Sequence, residues 1–339
     1  MESPQTTIKD IARALNISPS TVSRALKNHP DISKETKRVV LEMAEKFDYQ
    51  PNIVALSLRK STSFMLGIVI PKIVHHFFST VISGIEDVVN EKGYRIIIAQ
   101  SNEDSKKESD CVHTLAASRV DGIFMSLASQ GENHTHLTHI KKRNIPLIFF
   151  DRNLETIEAS SVVINDYEGA FQATEHLIFQ GRKNILHLAG PKGLKITENR
   201  INGYKNALAK HHIEIKEELI IPCDNSKTAK ETIKNLLENN LFFDGIFAVN
   251  DDTAIGAMMM LKQYNKQIPK DVAIIGFGDD PMAEVVSPSL SSVSQSGFEM
   301  GRAVANIFLS ELEKKQKGQT IEYTTQIIPT HLVIRESSQ

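Results

Sequence analysis

The chain has 339 residues, a formal net charge of −2, 41% apolar and 24% charged residues, an ordinary composition able to bury a sizeable core in two or three domains. Two distant cysteines, Cys111 and Cys223, exclude a disulfide framework and a thiolate metal motif. No apolar run approaches the ~18–20 residues of a membrane span, and no basic stretch followed by an apolar core opens the chain. A cytoplasmic protein is expected. The charge is uneven: residues 1–63 carry 10 Lys/Arg and 7 Asp/Glu, the remainder 29 and 34. A basic head on an acidic body suits a local polyanion-binding module.

Residues 7–47 read as three short helices. Thr7 caps the first, with Asp10 where a capping-box acid sits, and Ile8, Ile11, Ala12 and Leu15 keep helical spacing. After a turn at Asn16-Ile17, Ser18 caps a second helix with Pro19 at its first position. On a helical wheel Val22, Ala25 and Leu26 cluster. Ser20, Thr21, Ser23, Arg24 and Lys27 share the other side, and no carboxylate lies among them. A third helix begins near Ser33 and buries Val39, Val40, Met43, Ala44 and Phe47.

Two short helices joined by a tight turn, the second with a small-polar and basic face, make a helix-turn-helix. Short hydroxyl side chains let such a helix approach a major groove closely, and an arginine can chelate guanine O6 and N7. A small helical cap with a solvated face is the competing reading, but such faces usually include acids.

The stretch TIKDIARALNISPSTVSRALKNHPDISKETKRVVLEMAEKFDYQPNIVALSLR, residues 6–59, resembles the head of the LacI/GalR family of bacterial transcription regulators. The resemblance places Thr7, Ser18, Pro19, Ser20, Thr21, Ser23, Arg24 and Asn28 at a double-stranded, near-palindromic DNA operator, with Pro19 and Ser20 at the two positions that choose among operators. Proline has no donor, so Pro19 offers packing without hydrogen-bonded readout.

Pro51 ends the preceding helix and Asn52 can cap NIVALSLRK, residues 52–60. About seven residues fall well below the ~12–15 at which an isolated helix is marginal in water. The resemblance makes this a hinge helix in the minor groove, with Leu58 as the wedge and Arg59 beside it. Leu56 and Leu58 can alternatively dock on the next domain.

From residue 64 strands alternate with helices, as in parallel sheets. Strands are predicted at 65–70, 94–99, 122–125, 146–150 and 161–164, then at 184–189, 219–222, 245–249 and 272–276. Helices fill the intervals 79–92, 106–117, 168–180, 202–211, 228–239, 252–264 and 298–314. Two consecutive series predict two doubly wound parallel-sheet α/β lobes side by side, with a ligand cleft between them. The expected domains are a helix-turn-helix at 1–50, a hinge at 51–63, and a two-lobe effector-binding and dimerisation body at 64–339.

Polar residues follow several strands: Asp151-Arg152, Asp166 and Asn250-Asp251, with Arg200 read at a helix start and Phe77-Phe78 after the first strand. Aromatic faces and planar hydrogen-bonding groups suit a polyhydroxylated ligand or small anion. Asp166 and Asp251 can equally cap the helices that follow.

The body is similar to the family's effector-binding core, itself similar to periplasmic sugar-binding proteins. That likeness puts Phe77, Phe78, Asp151, Arg152, Arg200 and Asn250 at the effector. Family members commonly carry Asp directly after the aromatic of IIGF. Here Gly278 stands there, and Asp279 either substitutes through a shifted loop or that contact is missing. The chain lacks a leucine-heptad tail, so a homodimer is expected.

No dinucleotide fingerprint, phosphate loop or nucleophile elbow appears, and no cofactor is expected. His134, His136 and His139 form H-x-H-x-x-H without a carboxylate among them, which reads as a solvated loop or helix face rather than a metal site. The expectation is an effector-controlled repressor of carbohydrate-utilisation genes, with no enzymatic activity and no membrane partner. The alternatives are a catabolite-control type of regulator governed by a protein corepressor, and a solute-binding protein.

Overall fold

The computed structural model describes residues 6–49, 62–128 and 134–339. It divides into compact units at 1–63 and 64–339.

The first unit holds α1 (Ile8–Leu15), α2 (Pro19–Leu26) and α3 (Lys34–Lys46). The Asp10 carboxylate accepts from both the Thr7 amide (2.9 Å) and the Thr7 hydroxyl (2.6 Å), closing the start of α1. Asn16 adopts φ 54°, and the Ile17 amide reaches back to Ala12 O at 3.0 Å. That left-handed cap stops α1 and turns the chain into α2. Ser18 accepts from the Thr21 amide at 3.1 Å and Pro19 supplies the first helical residue. Asn28, at φ 54°, follows α2. Ile11, Ala12, Val22, Ala25, Val40 and Ala44 form the core, with Met43 and Phe47 partly buried against it, while Val39, expected in the core, is only partly buried.

The second unit contains two six-stranded sheets. The first is built from β1 (Met65–Ile70), α4 (His76–Asn90), β2 (Arg95–Gln100), α5 (Ser105–Ala117), β3 (Gly122–Met125), α6 (Thr135–Lys142), β4 (Leu147–Phe150) and β5 (Ser160–Ile164). The chain continues through α7 (Asp166–Phe179), β6 (Ile185–Ala189), α8 (Lys195–Lys210), β7 (Ile220–Pro222), α9 (Ser226–Glu238), β8 (Gly245–Ala248), α10 (Asp251–Gln263), β9 (Ala273–Gly278), α11 (Met282–Val285) and β10 (Ser291–Ser294). It ends with α12 (Gly297–Gln316), β11 (Thr325–Ile328) and β12 (His331–Val333). The sheet orders are β11-β5-β4-β3-β1-β2 and β12-β10-β9-β8-β6-β7.

The two series each form one lobe, but the chain after β10 adds crossings that the sequence reading did not include. The chain crosses from the first lobe after β5, returns after β10 to lay α12 and β11 on the first lobe, and crosses again into β12. The last strand also runs antiparallel to β10, so the second sheet is parallel except at one edge. Helices α12 and α4 pack closely: a Cβ at Gly84 would strike Phe298 O, and one at Gly301 would strike Val81 O. Only glycine permits that backbone approach.

Strand order reverses between β1 and β3 in the first sheet, and between β6 and β8 in the second. Ligand sites in doubly wound sheets form at such switch points, beyond the carboxyl ends of the strands. Among the described residues no helix is long and apolar enough to cross a membrane.

Candidate functional site

Two surfaces take up the residues singled out by sequence, one in each unit. On α2, Val22 and Ala25 are buried, Ser18, Pro19, Ser20 and Arg24 are exposed, and Thr21 and Ser23 are partly exposed. The wheel therefore separates as its residues dictate. The Ser18 hydroxyl lies 2.7 Å from Ser20 Oγ and 2.8 Å from Thr21 Oγ1, linking three hydroxyls at the start of the helix. Asn28 is exposed, and its carbonyl accepts from Lys37 Nζ at 3.2 Å. Thr7 is exposed but occupied with Asp10. Leu58 and Arg59 lie outside the described residues.

In the body, a cavity of about 160 Å3 lies between the ends of the two sheets, lined from both switch points by Lys72, Phe77, Asp151, Arg152, Gly190 and Asn250 among others. Asp151 directly follows β4 at φ 62°, which turns its carboxylate back to accept from Ser126 Oγ at 2.9 Å. Burial pushes its carboxyl above the usual range, and the adjacent Arg152 cation partly opposes this. Arg152 donates to Glu103 at 2.8 Å and to Leu127 O at 3.0 Å. Its Nε has no hydrogen-bond partner, only Asp151 Oδ2 at 3.7 Å.

Arg200 is buried. Its guanidinium holds Asp166 Oδ1 through Nε (2.8 Å) and Nη2 (2.7 Å), donates to Val249 O at 2.6 Å, and lies 3.7 Å from the Phe277 ring centre. Burial raises the Asp166 carboxyl to about 6 despite this partner. Arg200 sits in the second turn of α8, which starts at Lys195, and not at a helix start as read from ENRINGY. Nearby, Thr197 is 3% exposed with an unpartnered hydroxyl in the cavity wall. Buried polar atoms without partners are rare.

Asn250 and Asn165, not the aspartates that follow them, cap the next helices. Asn250 Oδ1 accepts from the Thr253 amide (2.8 Å), and Asn165 Oδ1 from the Glu168 amide (3.1 Å). Asp251 is thereby freed to turn inward. It accepts from Ser292 Oγ at 2.6 Å and the Asp280 amide at 2.7 Å, and burial lifts it to about 6. Asn250 remains in the cavity lining, with its amide donating to Asp224 O at 2.9 Å.

Asp279 does not substitute for the missing acid after IIGF. It forms an ion pair with Arg335 at 2.8 Å and lies outside the cavity lining, which takes in its neighbours Gly278 and Asp280. Phe77 and Phe78 lie on the first turn of α4. Phe77 is partly exposed toward the cavity, and Phe78 is mostly in the core, edge-on to Phe77 at 5.3 Å.

The histidine motif is also corrected. His136 is buried with its Nε2 3.1 Å from Glu108 Oε1, and Glu108 also accepts from the Ala128 amide at 2.6 Å. His139 is exposed, so the two do not share a fate. Among the described residues no group of three or more His, Cys, Asp or Glu side chains could hold a metal ion. Sequence reasoning missed Glu103 and Ser292, whose partners Arg152 and Asp251 lie far away along the chain, and Thr197, whose buried hydroxyl carries no local sequence signal.

The profile of bacterial regulatory proteins of the lacI family matches residues 7–52, and that of the periplasmic binding protein-like domain matches 174–338. The ribose operon repressor of Halalkalibacterium halodurans is 33% identical over 98% of this chain and 97% of its own length. The chain belongs to the lacI family. The family consists of regulators, not enzymes. The fold is also that of a lac repressor dimer bound to operator, with a TM-score of 0.85 at 21% identity, covering 99% of both chains. A lacI-family regulator from Enterococcus faecium with bound ribose is 25% identical with a TM-score of 0.71, covering 81% of this chain and 98% of that one.

Proposed function

We propose that this chain is a cytoplasmic, homodimeric repressor of carbohydrate-utilisation genes, released from or held on its operator by a small sugar-like effector in the interlobe cavity. In this reading residues 1–50 bind DNA, 51–63 form the hinge, and 64–339 bind effector and dimerise. The observation that carries it is the exposed, acid-free face of α2. Arg24 projects from that face to chelate a guanine edge, while Ser18, Ser20, Thr21 and Ser23 allow close approach. Thr7 and Asn28 lie at the operator, and Leu58 with Arg59 enter the minor groove.

Each lobe exposes apolar side chains suited to a second copy. Val74 (82% exposed) and Ile98 lie on the first lobe, Met282 and Val285 (71%) on the second. Met282 and Val285, one turn apart on α11, form an exposed apolar pair of the kind that suits an interaction surface. The effector reading is supported by the switch-point cavity, by the unpartnered Thr197 hydroxyl, and by the ribose operon repressor and ribose-bound regulator among the similar proteins. Phe77, Asp151, Arg152, Arg200 and Asn250 form the cavity wall that receives the effector. A ligand that prefers one lobe arrangement couples to DNA affinity, typically by ~1–3 kcal/mol.

Fluorescence anisotropy with a labelled duplex library tests the reading. The full chain selects a near-palindromic sequence, and residues 64–339 alone select none. Equal binding of all sequences by the full chain overturns it.

A further inference from the structure

The inner cavity is small and acidic. Its volume of about 160 Å3 lies below the ~300–1,000 Å3 of ordinary ligand sites. Its lining brings Glu103, Asp151, Asp224, Asp251, Asp252 and Asp280 together with the cations Lys72, Arg152 and Arg200. Both guanidinium charges are matched inside the protein, Arg152 by Glu103 and Arg200 by Asp166. A phosphate or carboxylate entering here meets more carboxylates than cations, and like charges repel. Neutral hydroxyls meet acceptors on the aspartates and donors on Thr197, Arg152 and Lys72.

The cavity does not end at its own wall. Asp151, Arg152, Leu194 and Ile196 also line a larger groove of about 1070 Å3 on the same side of the interlobe cleft. One wall of this groove is the face of β4, β5 and β11, buried at Phe149 and Ser161 and, among the described residues, partly open at Val163 and Ile327. In the pairing of β4, β5 and β11, Phe149 sits opposite Ser161, which sits opposite Thr325, and Val163 sits opposite Ile327. Alternate residues share a face. The other face, carrying Val162 and Ile328, is covered by α12. Ile327 is 60% exposed and Tyr323, two residues before Thr325, is 45% exposed. The opposite wall is the start of α8 in the second lobe, and the Lys195–Glu155 ion pair joins the lobes across the groove. An apolar strip with an aromatic ring, beside a polar cavity sized for one small ring, is a surface for a second ring.

Resting on the effector reading above, we propose that the effector is an uncharged two-ring saccharide or glycoside, one ring in the inner cavity and the other in the groove against Val163, Tyr323 and Ile327. The inner ring exchanges hydroxyl hydrogen bonds with Asp151, Arg152 and Thr197. The outer ring stacks its apolar face on the strip and, by touching both lobes, favours their closed arrangement.

Isothermal titration calorimetry on the full chain tests this with glucose, ribose, glucose 6-phosphate and glucuronate as single-ring probes, and with cellobiose, maltose, lactose, sucrose and 4-nitrophenyl glucosides as two-ring probes. At least one two-ring probe binds about tenfold or more tightly than every single-ring probe, and Tyr323→Ala or Ile327→Ser removes that advantage. Tighter binding of the phosphate or the uronate overturns the proposal. So does a single-ring probe equal to the best two-ring probe, a two-ring advantage that survives both substitutions, or no binding across the panel. Operator binding measured on the same samples separates this from the regulator reading: selective duplex binding with any of those outcomes overturns the ligand class alone.

Discussion

Replacing Arg200 with Met removes the guanidinium that holds Asp166, caps Val249 O and lies over Phe277, while conserving much of the side-chain length. Asp166 then stays buried without its counter-charge, and breaking a buried pair in this way costs about 3–5 kcal/mol. The loss is bounded because the carboxyl can take up a proton. It already stands near 6 with Arg200 beside it, raised from 3.8 chiefly by burial, so losing the arginine moves it higher. Between the unfolded value of 3.8 and that raised value the folded variant binds more protons than the unfolded chain. Its stability deficit therefore grows as pH rises and shrinks as pH falls. Urea unfolding of the wild type, Arg200→Met and Arg200→Met/Asp166→Leu, followed by circular dichroism at about pH 5.5 and 7.5, measures this. The double variant recovers most of the loss, because no buried charge remains. A deficit below about 1 kcal/mol, the same at both pH values and undiminished in the double variant, refutes the assignment of Arg200 and Asp166 as a coupled buried pair.

Two further outcomes follow from other parts of the body. His187 is buried between Tyr204 and Phe247, parallel to the latter ring at 4.7 Å, and burial lowers its imidazole from 6.5 to about 4. The unfolded chain binds the extra proton in that window, so this contribution is fully present above pH 6.5 and lost toward pH 4; the stability of wild type relative to His187→Phe falls by roughly 2.5 kcal/mol between about pH 7 and 4.5, read by urea titration, and a pH-independent difference contradicts it. Met282→Glu/Val285→Glu places charges on the exposed apolar turn of α11; sedimentation velocity shows a monomer with weakened operator binding, and an unaltered dimer removes this surface from the interface.

The parts of the fold legible in sequence are those where one short segment holds both signal and answer. Ser18-Pro19 states a helix start locally, and the apolar runs of β1, β3 and β8 state buried strands. By contrast β10 is SSVS, and its first two serines are buried because they bond to partners elsewhere: Ser292 to Asp251, and Ser291 to Arg335 O and the Ser337 hydroxyl. Hydrophobic periodicity carries no trace of that strand. The return of α12 and β11 to the first lobe is likewise a long-range matter, fixed by packing of α12 on α4 and by pairing of β11 with β5.

The candidate site divides in the same way. Asp151 and Arg200 stand out by residue type, but the ion pair that fixes Arg200 spans 34 positions. In Asn165-Asp166 and Asn250-Asp251 two good capping residues are adjacent. Local chemistry does not choose between them; the inward environment does, giving the cap to asparagine and the buried role to aspartate. Asp279 next to Asp280 presents the same ambiguity, resolved by Arg335, which arrives from the end of the chain.

Whether the acid-free side of α2 reads base edges is decided by comparing sequence preference in the full chain and in Arg24→Ala across a randomised duplex library at fixed salt. The account predicts that the variant loses about 1–3 kcal/mol on the preferred sequence and relaxes its preference at one symmetry-related base position while keeping the others. An Arg24→Ala protein with the same ranking of sequences as the parent, weakened uniformly or not at all, would contradict it.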